Sequence, residues 1–214
     1  MEAFIRNDQY NEWKYQVNKL VYNQATLIDN DVIKAVQSLA IERITDQFVS
    51  LSTEQERLIT LTTQLNDEGD AQLFLDQLAL LIIPFPAINN TQITQLFPKA
   101  KLGRISIQES ERKFSSYISW DDTGQQKRYI IAYVDHKHVG IEGRLHTRTV
   151  HGVCSICNHH APTRQFTTSY KERGDEGNYT SYSQYVCSDT RECNENIRAL
   201  DHLYTFISKM TKQS

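Results

Sequence analysis

Apolar residues recur at helical spacing through residues 1–83, a stretch with one glycine and no proline. The apolar face of a first helix would consist of Tyr10, Trp13, Val17, Leu20 and Val21, which recur at the spacing of one helix face. A second face, entered from Asp29 or Asn30, consists of Val32, Val36, Leu39, Ile44 and Phe48. The pattern predicts two amphipathic helices at the start of the chain.

Two further helices are predicted from capping and stop signals. Residues 52–56 contain two overlapping capping boxes ahead of an apolar helix, Leu58 to Leu65. After a polar turn at residues 66–70, a fourth helix begins at Ala71. It is expected to stop at Pro84, which lacks the amide hydrogen that a helix interior needs. Short connections between four amphipathic helices predict an antiparallel bundle.

The pattern changes to strands after Pro84-Phe85-Pro86. A short helix is predicted at 92–97. Strands are predicted at 117–120 and 129–134, with a turn at 121–124 between them, at 141–146 and 148–153, and as a hairpin at 164–170 and 179–186. A final helix at 194–210 would carry Ile197, Leu200, Tyr204 and Ile207 on one face. We therefore predict the α+β class, with an N-terminal antiparallel helical bundle, residues 1–83, and a C-terminal α/β domain, residues 84–214.

Charge supports this division into two domains. Residues 1–83 hold 6 Lys and Arg against 13 Asp and Glu, a net charge of −7, whereas residues 84–214 hold 17 against 13, a net charge of +4. The sequence shows no secretory leader, and its longest apolar run, Leu78 to Ile83, is far shorter than the ~20 residues of a membrane helix. We expect a soluble, cytoplasmic monomer that does not enter a membrane.

All four cysteines lie in the second part as two close pairs, Cys154 with Cys157 and Cys187 with Cys193. Tetrahedral zinc takes four such ligands, and a Cys-x-x-Cys turn places two sulfurs on one side of the ion. Two disulfides would need an oxidising compartment, and a redox pair would leave the second pair unexplained. The spacing predicts one zinc ion whose closed shell leaves no place for water or substrate, so its role is structural.

Three histidines near the cysteines, His151, His159 and His160, could replace a ligand, although the cysteines already fill the shell. The sequence contains no nucleotide-binding loop, no zinc-protease motif and no nucleophile elbow, so no catalytic residues are predicted. Arginine, lysine and tyrosine are interleaved between the cysteine pairs. This mixture is typical of protein interfaces and also of RNA-binding surfaces.

The segment His151-Gly-Val-Cys-Ser-Ile-Cys-Asn158, followed by Gln184-Tyr-Val-Cys-Ser-Asp-Thr-Arg-Glu-Cys193, resembles the FusB/FusC family of fusidic acid resistance proteins, also called elongation factor G-binding proteins. The resemblance extends along the whole chain. It implies a protein that binds elongation factor G on the ribosome and promotes its release from the drug-stalled complex. It implies neither chemical modification of the drug nor direct binding of it.

The resemblance also implies site residues. The four cysteines match the zinc ligands of the family, and Tyr185 matches an aromatic position associated with factor binding. Some relatives have a basic residue three positions earlier, where this chain has Tyr182, so that charged contact does not carry over. The expected contact surface consists of Tyr185, Tyr182, Arg164, Lys171 and Arg173. Of these, Arg164, Lys171 and Arg173 are added from charge alone.

Two other functions are considered. An RNA- or ribosome-binding zinc module would explain the arginine and tyrosine mixture, and would bind RNA with a steep dependence on salt. An enzyme that destroys the drug is the third hypothesis, and no constellation of residues supports it.

Overall fold

The computed structural model describes residues 1–171 and 179–211. Contacts divide the chain into two compact units, Met1–Ile83 and Pro84–Ser214. The described residues form eight α-helices and a five-stranded antiparallel sheet, which confirms the predicted α+β class. No helix in these described ranges is both long enough and apolar enough to cross a membrane.

The N-terminal unit is helical. Its elements are α1 (Asn7–Thr26), α2 (Asn30–Thr45), α3 (Thr53–Leu61), a 3₁₀ turn (Thr62–Gln64) and α4 (Glu68–Ala79). Polar caps set three of the starts, because the side chains of Asp29, Ser52 and Asp67 accept hydrogen bonds from the first free amides of α2, α3 and α4. The Ser52 cap confirms the predicted capping box, since the side chain of Gln55 accepts a bond in return from the Ser52 amide.

Trp13 lies at the centre of this unit and is completely buried. Its ring packs against Phe48 after α2 and Phe74 in α4, and its Nε1 donates to Thr62 Oγ1 at 2.9 Å. The indole therefore satisfies its one polar group while filling the space between three elements. Gln9, at the start of α1, donates to the carbonyl of Gln47 beyond the end of α2, so these two helices run antiparallel.

The fourth helix ends earlier than predicted. It stops at Ala79, and the next residues leave the helix to meet the N-terminal segment, where Ile5 and Ile82 form a parallel bridge. The Ile83 amide donates to the Ile5 carbonyl at 2.8 Å. The expectation that Pro84 ends the helix is therefore wrong, because backbone pairing has already drawn the chain out of it.

The C-terminal unit is built on one sheet. The strands are β1 (Ile118–Asp122), β2 (Lys127–Val134), β3 (Lys137–Val153), β4 (His160–Lys171) and β5 (Tyr179–Cys187), hydrogen-bonded in that order. The helices are α5 (Asn90–Leu96), α6 (Glu109–Lys113), α7 (Thr190–Asn196) and α8 (Asp201–Thr211). Because strands that follow one another in sequence are neighbours in the sheet, no crossover connection is needed.

Two predicted features of this sheet are wrong. Asp121 and Asp122 belong to β1 and not to a turn, since they pair with Arg128 and Lys127. The two strands predicted at 141–153 are one strand, with an irregularity between Leu145 and Thr149 that splits the alternating pattern.

The sheet separates two apolar cores. One face packs against α8, where Phe166 lies 6.1 Å from Phe206 between ring centroids. The other face packs against the segment that includes α5, where Phe97 meets Tyr129 at 5.1 Å. The second face is covered mainly over β1, β2 and the start of β3, where Leu96 and Phe97 lie against Gly140. Both faces of β2 are consequently buried, which explains its continuous apolar run.

The predicted final helix is two helices. α7 ends at Asn196, and α8 begins at Asp201 after a break that places Ile197 in the core, completely buried. The buried face of α8 consists of Leu203, Phe206, Ile207 and Met210. Tyr204, which the sequence pattern places on the inner face, is 39% exposed, because the break changes the rotation of the second helix.

The crowding around Gly143 yields a stability prediction. A Cβ atom built there would lie 2.6 Å from Phe166 Cζ and 2.7 Å from the carbonyl oxygen of Thr167. We expect Gly143→Ala to lower the free energy of unfolding by about 1–3 kcal/mol through overpacking. Gly103→Ala is the matched control, because nothing lies within 4 Å of its added carbon. Denaturant unfolding of both variants tests this, and equal stabilities would contradict it.

Candidate metal centre

The four cysteines come from three places in the C-terminal unit. Cys154 and Cys157 lie in the turn between β3 and β4, Cys187 is the last residue of β5, and Cys193 lies in α7. Pairing of β4 with β5 places Cys187 opposite Thr163, close to the β3–β4 turn. A hairpin thus closes the long sequence gap between the pairs. Cys154, Cys187 and Cys193 are buried, and Cys157 is partly exposed.

The sulfur atoms form one compact group, with all four Sγ atoms within 4.8 Å of one another. Cys154 and Cys193 are 3.8 Å apart, and Cys157 and Cys187 are 3.7 Å apart. Tetrahedral zinc with Zn–S bonds of ~2.3 Å would place its sulfurs about 3.8 Å apart. A disulfide needs roughly 2 Å, and all four cysteines are free. The group could therefore hold a metal ion.

Backbone amides hold one sulfur in place. Cys154 Sγ accepts hydrogen bonds from the amides of Ile156 at 3.4 Å and Cys187 at 3.3 Å. The turn closes when the Asn158 amide donates to the Cys154 carbonyl, with Asn158 at a φ of 56°. Asparagine is one of the few side chains that adopt this left-handed conformation readily. The position of Cys154 is thus fixed by backbone groups next to it in the β3–β4 turn and by the backbone of Cys187 in the other cysteine pair.

The electrostatics of the group favour a bound cation. Hydrogen bonds from neighbouring sulfurs, led by Cys157, lower the pKa of Cys154. Hydrogen bonding with Cys154 raises the pKa values of Cys187 and Cys193, with burial acting in the same direction. Against an opposing hydrogen bond with Cys154, hydrogen bonds from Cys187 and Cys193 lower the pKa of Cys157 as well, so the four thiols do not ionise alike. A divalent soft metal would offset two of the four thiolate charges and attract all four sulfurs to one centre, which fits this donor set.

Arg128 is the residue of this site that sequence reasoning missed. It is 2% exposed. Its Nη1 donates to the Cys187 carbonyl at 2.6 Å, and its Nη2 donates to the Ser188 carbonyl at 2.9 Å. The same guanidinium forms a two-point ion pair with the Asp121 carboxylate, at 2.6 and 3.0 Å. Arg128 thereby ties the third cysteine to β1 and β2. The sequence signal for this role was a single arginine directly before the apolar run of β2.

Asn194 makes a second connection from the cysteine group to the sheet. Its Oδ1 accepts from the amides of Ser116 and Tyr117, and its Nδ2 donates to the Tyr117 carbonyl at 3.1 Å. Asn194 follows Cys193 directly, so α7 is held against the segment that enters β1. Buried backbone groups that a strand end would leave unpaired are satisfied here.

The histidines considered as substitute ligands lie outside the group. His151, His159 and His160 are exposed. The rings of His151 and His160 stack on each other with centroids 6.4 Å apart. Within the described residues, the group that could hold a metal ion consists of the four cysteines.

The expected contact residues do not form a single patch. Tyr185 is 46% exposed and Tyr182 is 36% exposed, and their odd separation in β5 places them on opposite faces. The guanidinium of Arg164 donates to the His146 carbonyl at 2.7 Å and lies 3.8 Å from the Asp121 carboxylate. The side chain of Lys171, and Arg173 as a whole, lie outside the described residues.

The Arg128 contacts predict a large effect on stability. Arg128→Met should lower the free energy of unfolding by about 3 kcal/mol, because it leaves a carboxylate and two carbonyls without their donor. Arg191→Met is the control, since Arg191 also lies near a cysteine in sequence but is 90% exposed in its ion pair with Glu195. Thermal and denaturant unfolding should separate the two variants. An Arg128 variant as stable as the control would show that the ion pair contributes nothing.

Comparisons with known proteins agree on one family. The model of the family described as "Elongation factor G-binding protein, N-terminal" matches residues 4–86. The solved structure of the fusidic acid resistance protein FusC superposes with a TM-score of 0.82 and 28% sequence identity. That match covers 96% of this chain and 97% of the other, so both units are included. A search of curated proteins found no significant match. Both comparisons support the resemblance of the chain to the FusB/FusC family of fusidic acid resistance proteins.

Proposed function

We propose that this protein confers resistance to fusidic acid by binding elongation factor G and promoting its release from drug-stalled ribosomes. The observation that carries the proposal is the likeness to FusC over nearly the whole length of both chains. The family model of the N-terminal unit names the same partner. The protein acts as a monomer in the cytoplasm, which is where its partner works. It neither modifies nor binds the drug.

Release by binding sets a thermodynamic condition. The protein must bind the released conformation of the factor more tightly than the stalled one, because equal affinity for both would shift nothing. Moving the factor from 1% to 99% released needs roughly a 10⁴-fold preference. Such a preference requires contacts that the stalled geometry lacks. A rigid, preformed contact surface provides it better than a flexible one, because a flexible surface can re-pack to fit both conformations.

The four cysteines supply that rigidity by holding one structural zinc ion. Four sulfur ligands fill a tetrahedral shell, so no position remains for water or substrate. The ion would join the β3–β4 turn to the end of β5 and to α7. Arg128 and Asn194 then connect these elements to the start of the sheet.

The factor-binding surface is assigned to residues 84–214. Tyr185 is the leading contact, because it is exposed and lies two residues from a zinc ligand. Tyr182, Arg164, Lys171 and Arg173 are the additional contacts. The ion pair of Arg164 with Asp121 gives that residue a structural task as well.

Zinc content is the first test. The purified chain should contain one zinc ion, and its removal by a chelator should unfold residues 84–214, since structural zinc supplies about 10–16 kcal/mol in small domains. Residues 1–83 contain no cysteine or histidine and should stay folded. In a Trp120→Phe variant, fluorescence of buried Trp13 reports on the first unit alone. Retention of the C-terminal circular dichroism after zinc loss would contradict a structural role.

Factor binding is the second test. We expect the wild-type chain to form a complex with purified elongation factor G, and Tyr185→Ala to weaken it about tenfold or more, as removal of an exposed aromatic anchor does. Tyr22→Ala is the matched control, because Tyr22 is 69% exposed in the other unit. Calorimetry measures both affinities, and zinc content and thermal midpoint should not change.

Two further assays on the same purified chain separate the other functions. A chain that ignored the factor but bound ribosomal RNA, with a steep loss as salt rises, would favour an RNA-binding module. Chemical change of fusidic acid on incubation with the protein would favour an enzyme. Either result would overturn the proposed function.

A further inference from the structure

One of the two edges of the sheet lies along β5, the last strand in the order β1-β2-β3-β4-β5. The direction of its backbone groups follows from two contacts. The Tyr185 carbonyl accepts from the Ser155 amide at 2.8 Å, and the Cys187 amide donates to Cys154 Sγ at 3.3 Å. Both contacts point away from β4. Because the backbone alternates with a period of two, the amides and carbonyls of Ser181 and Ser183 also point outward.

The cysteine turn covers only one end of this edge. Ser155 also donates through its hydroxyl to the Gln184 side chain at 2.8 Å, so the turn is held against Gln184, Tyr185 and Cys187. Within residues 1–171 and 179–211, no protein group pairs with the outward backbone groups of Ser181 and Ser183. Four backbone hydrogen-bonding groups are therefore open in a row beside the covered end.

The open edge lacks the usual protection. Natural edge strands are blocked by lysine, proline, bulges or covering segments. Residues 179–187 contain no charged residue and no proline, and the pairing of β5 with β4 runs without a register shift. The hydroxyls do not block it either, since Ser181 bonds Ser169 and Ser183 bonds Thr167, each at 2.8 Å, across the strand pair.

Aromatic side chains flank the open groups on both faces. Tyr182 lies on the face shared with Tyr170, with ring centroids 6.4 Å apart, and Tyr185 lies on the opposite face. An added strand would place alternate side chains beside these two rings, as cross-strand neighbours do. The edge thus offers backbone hydrogen bonds for affinity and two aromatic contacts for specificity.

We infer that the edge of β5 at Ser181 and Ser183 binds an extended segment of elongation factor G, which adds to the sheet as a sixth strand. The inference rests on the proposed function and names the surface and the binding mode. The segment is short, about five residues, because the cysteine turn closes the edge at Tyr185. It carries apolar or β-branched residues at the positions that meet Tyr182 and Tyr185.

A second copy of the chain fits this edge poorly. A symmetric pairing that uses Ser181 and Ser183 of both copies is antiparallel and centred on Tyr182. It places Tyr179 of one copy opposite Tyr185 of the other, whose carbonyl already binds Ser155. A segment from another protein can turn away at that point.

A proline substitution tests the backbone contact. Proline is tolerated where an amide points out of a sheet edge, so Ser183→Pro should leave zinc content and the circular dichroism spectrum unchanged. It removes the amide that the inference assigns to the partner, and the factor should bind about ten- to hundredfold more weakly. Ser183→Ala is the matched control, because it removes the same hydroxyl and keeps the amide, and it should bind like the wild type.

Amide hydrogen exchange of the unmodified chain tests the same contact without a substitution. Addition of elongation factor G should slow exchange at Ser181 and Ser183 at least tenfold. The neighbouring amide of Tyr182 already points to β4 and should change little. Unchanged exchange in a complex that forms normally would overturn the inference and leave the proposed function standing.

Two further outcomes are decisive. If the wild-type chain forms no complex with the factor, both the proposed function and this inference fail. If the wild-type chain is a dimer in solution and Ser183→Pro makes it monomeric, the edge binds a second copy and the inference is overturned.

Discussion

The gathering of four sulfur atoms is the constraint on which the C-terminal unit depends. These atoms come from a turn, a strand end and a helix, and they lie within 4.8 Å of one another. Each element is short, and the connection from β5 to α7 is only a few residues long. Such elements order one another when a common centre joins them, because the loop-closure entropy is then lost once for all of them.

Arg128 extends this constraint into the sheet. A buried guanidinium is unfavourable unless its donors are satisfied, and here one carboxylate and two carbonyls satisfy them. Two of these acceptors belong to the backbone at and after Cys187. A change at the cysteine group is therefore transmitted to β1 and β2 through a few hydrogen bonds. The outcome is one hydrogen-bonded platform, and β5 is one of its two outer strands.

The position of β5 connects structure with recognition. The strand ends in one of the four clustered cysteines, so its register and the direction of its backbone groups are fixed at that end. The turn that holds Cys154 and Cys157 covers one end of the edge and stops there. A partner strand would thus meet a surface that is already ordered. Preformed surfaces lose less ordering entropy on binding than flexible ones.

The sequence by itself determined the class of fold and the candidate metal site. Periodicity and caps predicted the helices of the first unit, because an amphipathic helix needs only local spacing and local hydrogen bonds. The cysteine pairs predicted a common site, since two closely spaced ligand pairs in one chain are typical of a tetrahedral metal centre. The opposite faces of Tyr182 and Tyr185 also followed from the sequence, because strand alternation is strict.

Only the tertiary structure decided the features that depend on distant contacts. The early end of α4 comes from pairing with Ile5, far away in sequence. The break between α7 and α8 buries Ile197 in a core that several strands build. Arg128 looked like an ordinary strand residue, and its backbone acceptors lie some sixty residues further on. Edge or interior position is likewise a property of the assembled sheet, because pairing order is set by long-range packing and not by any local pattern.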